Sequence, residues 1–376
     1  MPGFEWIGEE EKNAVSSIFD EGGVLFAHGF EGMRKHFHVR EFESKCCERF
    51  GARHALAVTS GTSAIKVALK AVGVRFGDEV ITQAFNFIAT VEAILDCGAV
   101  PVIANVDDTL NMDLEDLKTL ITPKTKAILP VHMLGVAAEM KGILKLASEH
   151  KLPLVEDNCE AIGGTYSGKA LGTLGDVGAL SFDQGKMIAT GEGGMLLSNN
   201  SDIDRYSRHY HDHGHECNPN FPRGRDTHSI YGFNYRMTEM QGAIGKVQLS
   251  KLSKMLEANR NRYRALEDAM EGKFRLRKIP EECVPNFDTL TIIEPDEKLR
   301  KLFIETLVSE GFGTKNLPDA MEWHCTAYWD HALSAEQIFR SKKTKKLLEE
   351  AIAIPILLRK SVENYQILGN ILAKLN

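Results

Sequence analysis

From about residue 52 onward, short apolar runs alternate with stretches whose apolar positions recur every three to four residues. The first pattern predicts strands buried on both faces, and the second predicts helices lying over them. "HALAVTS" (54–60), "DEVITQ" (78–83), "VPVIANV" (100–106), "TKAILPVH" (125–132) and "LPLVEDN" (152–158) read as strands. "GTSAIKVALKAVG", "FIATVEAILDCG", "DLEDLKTLI" and "EMKGILKLASEH" read as the helices between them. Strands and helices in strict alternation imply βαβ units and a mostly parallel sheet covered on both faces. Ligands of such sheets bind at the carboxyl ends of the strands. After residue 236 the pattern changes to one long helical stretch, 237–270, followed by mixed strands and helices. That change predicts a large α/β domain over 1–246 and a smaller α+β domain over 247–376. Residues 208–230, rich in His, Arg, Pro and Gly, form a long excursion, and long loops in compact domains are commonly functional.

Composition narrows the class. The chain has 376 residues, 43% of them hydrophobic and 26% charged, which suffices for a large core. Forty-five Lys and Arg stand against 52 Asp and Glu, and no long basic run offers a footprint for nucleic acid. No apolar run approaches the ~20 residues that span a bilayer, and no signal-peptide order is present, so a cytoplasmic location is expected. Seven scattered cysteines without a C-x-x-C pair signal neither a disulfide framework nor a zinc site.

Three short segments could carry chemistry. "SGTSA" (60–64) joins a strand to a helix, where free backbone N–H groups and the hydroxyls of Thr62 and Ser63 could hold a phosphate. The same residues also serve as ordinary helix caps. Asp157, at the carboxyl end of an apolar strand, could cap a turn, ligate a metal or hold a pyridinium nitrogen protonated. Lys186, in "SFDQGKMIATGEGG", could be a surface lysine, a phosphate clamp or a nucleophile. A P-loop needs G-x-x-x-x-G-K-[ST], which this segment lacks. Phosphate cradle, acid and lysine occur in order along the chain, and pyridoxal 5′-phosphate is the ligand that needs all three. Phe87 is either a core aromatic or a face for the cofactor ring to stack on.

Aligned in this way, the chain resembles the DegT/StrS family of pyridoxal-phosphate-dependent sugar aminotransferases. The resemblance runs through "REFESKCCERFGARHALAVTSGTSAIKVAL", "GDEVITQAFNFIATVEAIL", "VEDNCEAIGGTYSGKALGTLGDVGALSF", "GEGGMLLSN", "HDHG" and "YGFNYRMTEMQGAIGKVQL". It implies a fold-type-I aminotransferase whose large domain carries a mixed, mostly parallel seven-stranded sheet. It also implies that Lys186 binds the cofactor covalently, Asp157 pairs with its ring nitrogen, Phe87 stacks on the ring, and Thr62, Ser63 and Ser181 hold the phosphate. Asn234 is implied to reach the phosphate of a neighbouring subunit, which makes a homodimer with shared active sites. Relatives that dehydrate sugars carry histidine in place of this lysine, so transamination is the implied reaction.

Two departures qualify the resemblance. Glu160 stands where many members have Gln or His, placing an acid near the cofactor. "SFDQGK" replaces the commoner "SFYPTK", which puts Asp183 and Gln184 where they could face substrate. This variant is similar to members that aminate the 8-oxo form of Kdo to give 8-amino-3,8-dideoxy-D-manno-octulosonate, a lipopolysaccharide sugar, with L-glutamate as the implied donor; a nucleotide-linked keto-deoxy sugar is the alternative. Kdo carries a carboxylate, for which Arg223, Arg225 and His228 are candidate partners, unless they form a solvated basic loop. His211, His213 and His215 fall where the family has a sugar-site loop, and the alternating histidines are read as substrate contacts and not as a metal site. A non-catalytic relative would lack the lysine, the aspartate or the phosphate residues. An oxidoreductase would need G-x-G-x-x-G after the first strand, which is absent.

Overall fold

The computed structural model describes residues 3–375. Its centre is a sheet built from β1 (His54–Val58), β2 (Glu79–Gln83), β3 (Val100–Ala104), β4 (Thr125–Ile128), β5 (Val155–Asp157), β6 (Val177–Ser181) and β7 (Gly194–Ser198). β2 pairs in parallel with β3 and β4, β5 in parallel with β6, and β7 antiparallel with both β6 and β1. Parallel bridges Ile128–Leu154 and Val131–Asp157 join β4 to β5, giving the order β3-β2-β4-β5-β6-β7-β1. The join is thin because Pro130 and Pro153 accept bonds from Asp157 N and Ile128 N but have no N–H to return. The result is the expected mixed, mostly parallel seven-stranded sheet.

Alternation along the strands separates the two faces. Leu56 and Val58 of β1 join the core beneath the helix Gly61–Ala71, whereas Ala55 and Ala57 join Val39 and Phe42 of the helix His38–Phe50. The 31-residue helix Glu239–Ala269 crosses position 246/247 without interruption. Its first turns press on the helix His38–Phe50, where a Cβ on Gly242 would lie 2.7 Å from Val39 N. Further along it, Tyr263 and Leu266 enter a core shared with β8 (Thr289–Ile293) and β9 (Ala351–Pro355), an antiparallel pair. Lys315 N donates to Ala353 O of β9 at 2.9 Å, so the segment around Lys315 is fixed to this C-terminal layer. Among the described residues, no helix is long and apolar enough to cross a membrane.

Candidate active site

The carboxyl ends of β1, β5 and β6 open onto a cavity of about 430 Å3. Seven residues singled out in the sequence line it: Thr62, Phe87, Asp157, Glu160, Ser181, Asp183 and Lys186. They converge because each follows or ends a strand of one sheet, although they span more than 120 positions of the chain.

The cavity floor is built for close approach. Ser60 caps the helix Gly61–Ala71 by accepting from Ser63 N at 3.1 Å, leaving the helix N-terminus facing the cavity beside the Thr62 and Ser181 hydroxyls. A Cβ on Gly61 would lie 2.7 Å from Ser181 Cβ and 3.0 Å from Cys159 Sγ, so only glycine keeps this cradle open. Asp157 is almost fully buried, and both its oxygens are held: Thr90 Oγ1 donates to Oδ2 at 2.8 Å and Cys159 N to Oδ1 at 3.1 Å. Phe87, 43% exposed, presents its ring to the cavity with the His324 ring 5.4 Å away.

Lys186 Nζ lies 3.4 Å from Glu160 Oε1. Asn316 Nδ2 donates to both Glu160 oxygens, at 3.3 and 3.2 Å, and Leu134 N donates to Oε2 at 3.3 Å. Burial by itself would push the Glu160 carboxyl up, but the charges of Lys186 and Lys315 overcome it and hold the group well below the usual carboxylate range. Burial likewise favours a neutral Lys186, and Glu160 with the neighbouring acids reverses that, raising its pKa. The Glu160 carboxylate thus favours the charged form of Lys186.

The structure separates the remaining expected residues from this cavity. The Ser63 hydroxyl turns inward to those of Thr59 and Ser60, at 2.9 and 2.8 Å; it completes the helix cap and lies outside the lining. Gln184 is exposed outside the lining, so within "SFDQGK" Asp183 and Lys186 face in while Gln184 faces out. Asn234 is exposed and away from this chain's own cavity.

None of His211, His213, His215, Arg223, Arg225 and His228 reaches the cavity of the same chain. Arg223 is committed to fully buried Asp212, with Nη1 and Nη2 at 2.7 and 2.5 Å, and Arg236 joins at 2.5 Å. His211 is buried and its Nδ1 lies 2.5 Å from Arg208 O; His215 faces Asp226 at 3.2 Å. His213, Arg225 and His228 are exposed. Within one chain the excursion thus lies outside the cavity, with Arg223 paired to Asp212 and His215 to Asp226.

Among the lining residues that escaped the sequence reading are Asp288, Lys315, Asn316 and His324. They come from the C-terminal layer, more than 100 positions beyond Lys186, in segments without a motif. Asn316 adopts φ +64°, a conformation asparagine tolerates better than most residues, and this turns its amide to Glu160.

Residues 11–371 match the DegT/DnrJ/EryC1/StrS aminotransferase family. The chain belongs to this family. A GDP-perosamine synthase of Caulobacter vibrioides is 43% identical over 221 residues, which span 58% of each chain. One of Escherichia coli O157:H7 is 33% identical over 276 residues, 72% of this chain and 74% of its own. The crystal structure of a 3-amino-5-hydroxybenzoic acid synthase superposes with a TM-score of 0.86 at 27% identity, covering 100% of this chain and 98% of that one. Pyridoxal 5′-phosphate fits the cavity on its own terms. The Gly61 cradle suits a phosphate, the doubly held Asp157 suits a ring nitrogen, and Lys186 supplies the amine.

Proposed function

We propose that this protein is a pyridoxal-phosphate-dependent aminotransferase that moves an amino group from L-glutamate to the carbonyl of a sugar. The observation that carries the reading is the meeting of Lys186, Asp157 and the Gly61 cradle in one cavity. Bound pyridoxal phosphate supplies an aldehyde to receive the amino group and a ring that draws electron density from the substrate carbon. Ser60, Thr62, Ser181 and the helix N-terminus hold the phosphate. Asp157 keeps a proton on the ring nitrogen, and Phe87 covers a ring face. Lys186 moves the proton at the reacting carbon, and Glu160 sets the charge on Lys186 before the cofactor enters. Residues 1–246 form the cofactor-binding unit and 247–376 the smaller C-terminal unit, which adds Asp288, Lys315, Asn316 and His324 to the cavity lining. Exposed Asn234 serves a second copy's cavity in a cytoplasmic homodimer.

Among carbonyl sugars we favour the 8-oxo form of Kdo, supported by the "SFDQGK" segment and by Asp183 at the cavity wall. The names of the perosamine synthases support the competing reading, a nucleotide-linked keto-deoxy sugar. The test begins with an absorbance scan of the protein loaded with pyridoxal phosphate, then with L-glutamate. A visible band that L-glutamate bleaches, and that Lys186→Ala never shows, is expected; turnover retained in Lys186→Ala defeats the assignment. Assays with each class of sugar then decide the acceptor.

A further inference from the structure

The cavity lining has an unequal charge pattern. Asp157, Glu160, Asp183, Glu192 and Asp288 face it with only two lysines, Lys186 and Lys315. In the proposed reaction Lys186 is engaged by the cofactor. His324 is pushed below the ordinary histidine value by burial, so it adds no cation at neutral pH. Lys315 is thus the remaining cation of this chain's described lining. Its side chain is 9% exposed, and its ammonium donates to Asp288 Oδ2 at 2.7 Å. That is the one side-chain bond described for a group with three donors. Asp288 is itself fixed, accepting from Thr289 Oγ1 at 2.8 Å, and the Lys315 backbone is tied to β9. The adjacent Asn316 is held by Glu160. Lys315 is therefore a rigidly placed cation with unused N–H groups at the edge of a catalytic cavity.

We propose that Lys315 seats the carboxylate of the substrate. This inference rests on the aminotransferase reading above and deepens it. Both halves of that reaction bring a carboxylate into the same cavity, that of the amino-acid donor and that of an acidic sugar. A buried ammonium with free donors binds such a group with charge-assisted hydrogen bonds. Asp288 holds the Lys315 ammonium, while Asn316 and Lys186 occupy Glu160.

The test titrates the cofactor-loaded protein with L-glutamate, following loss of the visible band, and its amino form with Kdo, following heat. In Lys315→Met the band itself is expected to be unchanged while affinity for the carboxylate ligand falls roughly 10- to 100-fold. Because Lys315→Met strands buried Asp288, the double variant Lys315→Met/Asp288→Asn is measured beside it, and Lys315→Arg is expected to recover most of the affinity. Weakening with L-glutamate assigns the seat to the donor, and weakening with Kdo assigns it to the sugar. Unchanged affinity for both ligands, with the band intact in the double variant, overturns the proposal. A wild-type protein that shows no band on adding pyridoxal phosphate defeats the cofactor reading, and this one with it.

Discussion

The cavity around Lys186 and the cluster around Asp212 hold similar side chains but treat them differently. In the cluster, one fully buried carboxylate receives two arginines, and His28 lies 3.7 Å away. Nearby Asp226 accepts from Cys217 N, Asn218 N and Thr227 N, so the excursion is stapled to itself. In the cavity, Lys315 keeps donors free and Phe87 leaves its ring exposed. Charge density alone does not mark a site; polar groups left with unused capacity in a concave, water-poor setting do.

Three outcomes would break or sharpen that contrast. The largest is Asp212→Ala, which leaves Arg223 and Arg236 without their shared partner. It is expected to lower stability by about 3 kcal/mol, read as a shift in the urea midpoint, while the cofactor-loaded band is kept. Loss of the band with unchanged stability would move the cluster into the site.

Per pH unit, a smaller effect comes from acidification. Burial pushes His211 down to about 3 and, against Asp212 and with the nearby arginines, His28 down to about 4. The folded protein keeps these rings neutral while the unfolded chain takes up protons near pH 6.5, so stability drops as pH falls from 6.5 toward those values. The expected slope is up to about 1.4 kcal/mol per pH unit for each ring. Urea midpoints at pH 7, 6 and 5 measure it, and His211→Gln should flatten the curve.

The smallest effect belongs to Arg225→Ala. The side chain is exposed and away from the cavity, so stability should stay within about 0.5 kcal/mol of wild type. The KM for sugar should not change either, because Arg225 lies away from this chain's cavity; a changed KM would place it at the cavity of a second copy.

Much of the site was legible because its parts sit at strand ends, and strand ends are marked by where the apolar runs stop. Asp157 closes "LPLV", Ser181 closes "VGAL", and Gly61 follows "HALAVTS". Hydrophobic periodicity fixes which face is buried, and a parallel sheet then gathers those ends on one edge whatever their separation in the chain. The place of Ser63 was not legible because a hydroxyl at a helix start can face a ligand or its own cap, and only backbone geometry chooses between them. The positions of His211 and Arg223 were not legible because their partners, Arg208 O and Asp212, are found only once the excursion folds.

The sequence by itself determined the mostly parallel α/β pattern with five of its strands, the lysine, the aspartate and the glycine cradle, since these follow from local pattern and motif, while the seven-stranded sheet came from the family resemblance. Tertiary structure alone decided that Asp288, Lys315, Asn316 and His324 share the cavity, and that the basic excursion closes on Asp212. The reason is physical: these contacts join segments by packing between layers, and packing leaves no periodic signature in either segment.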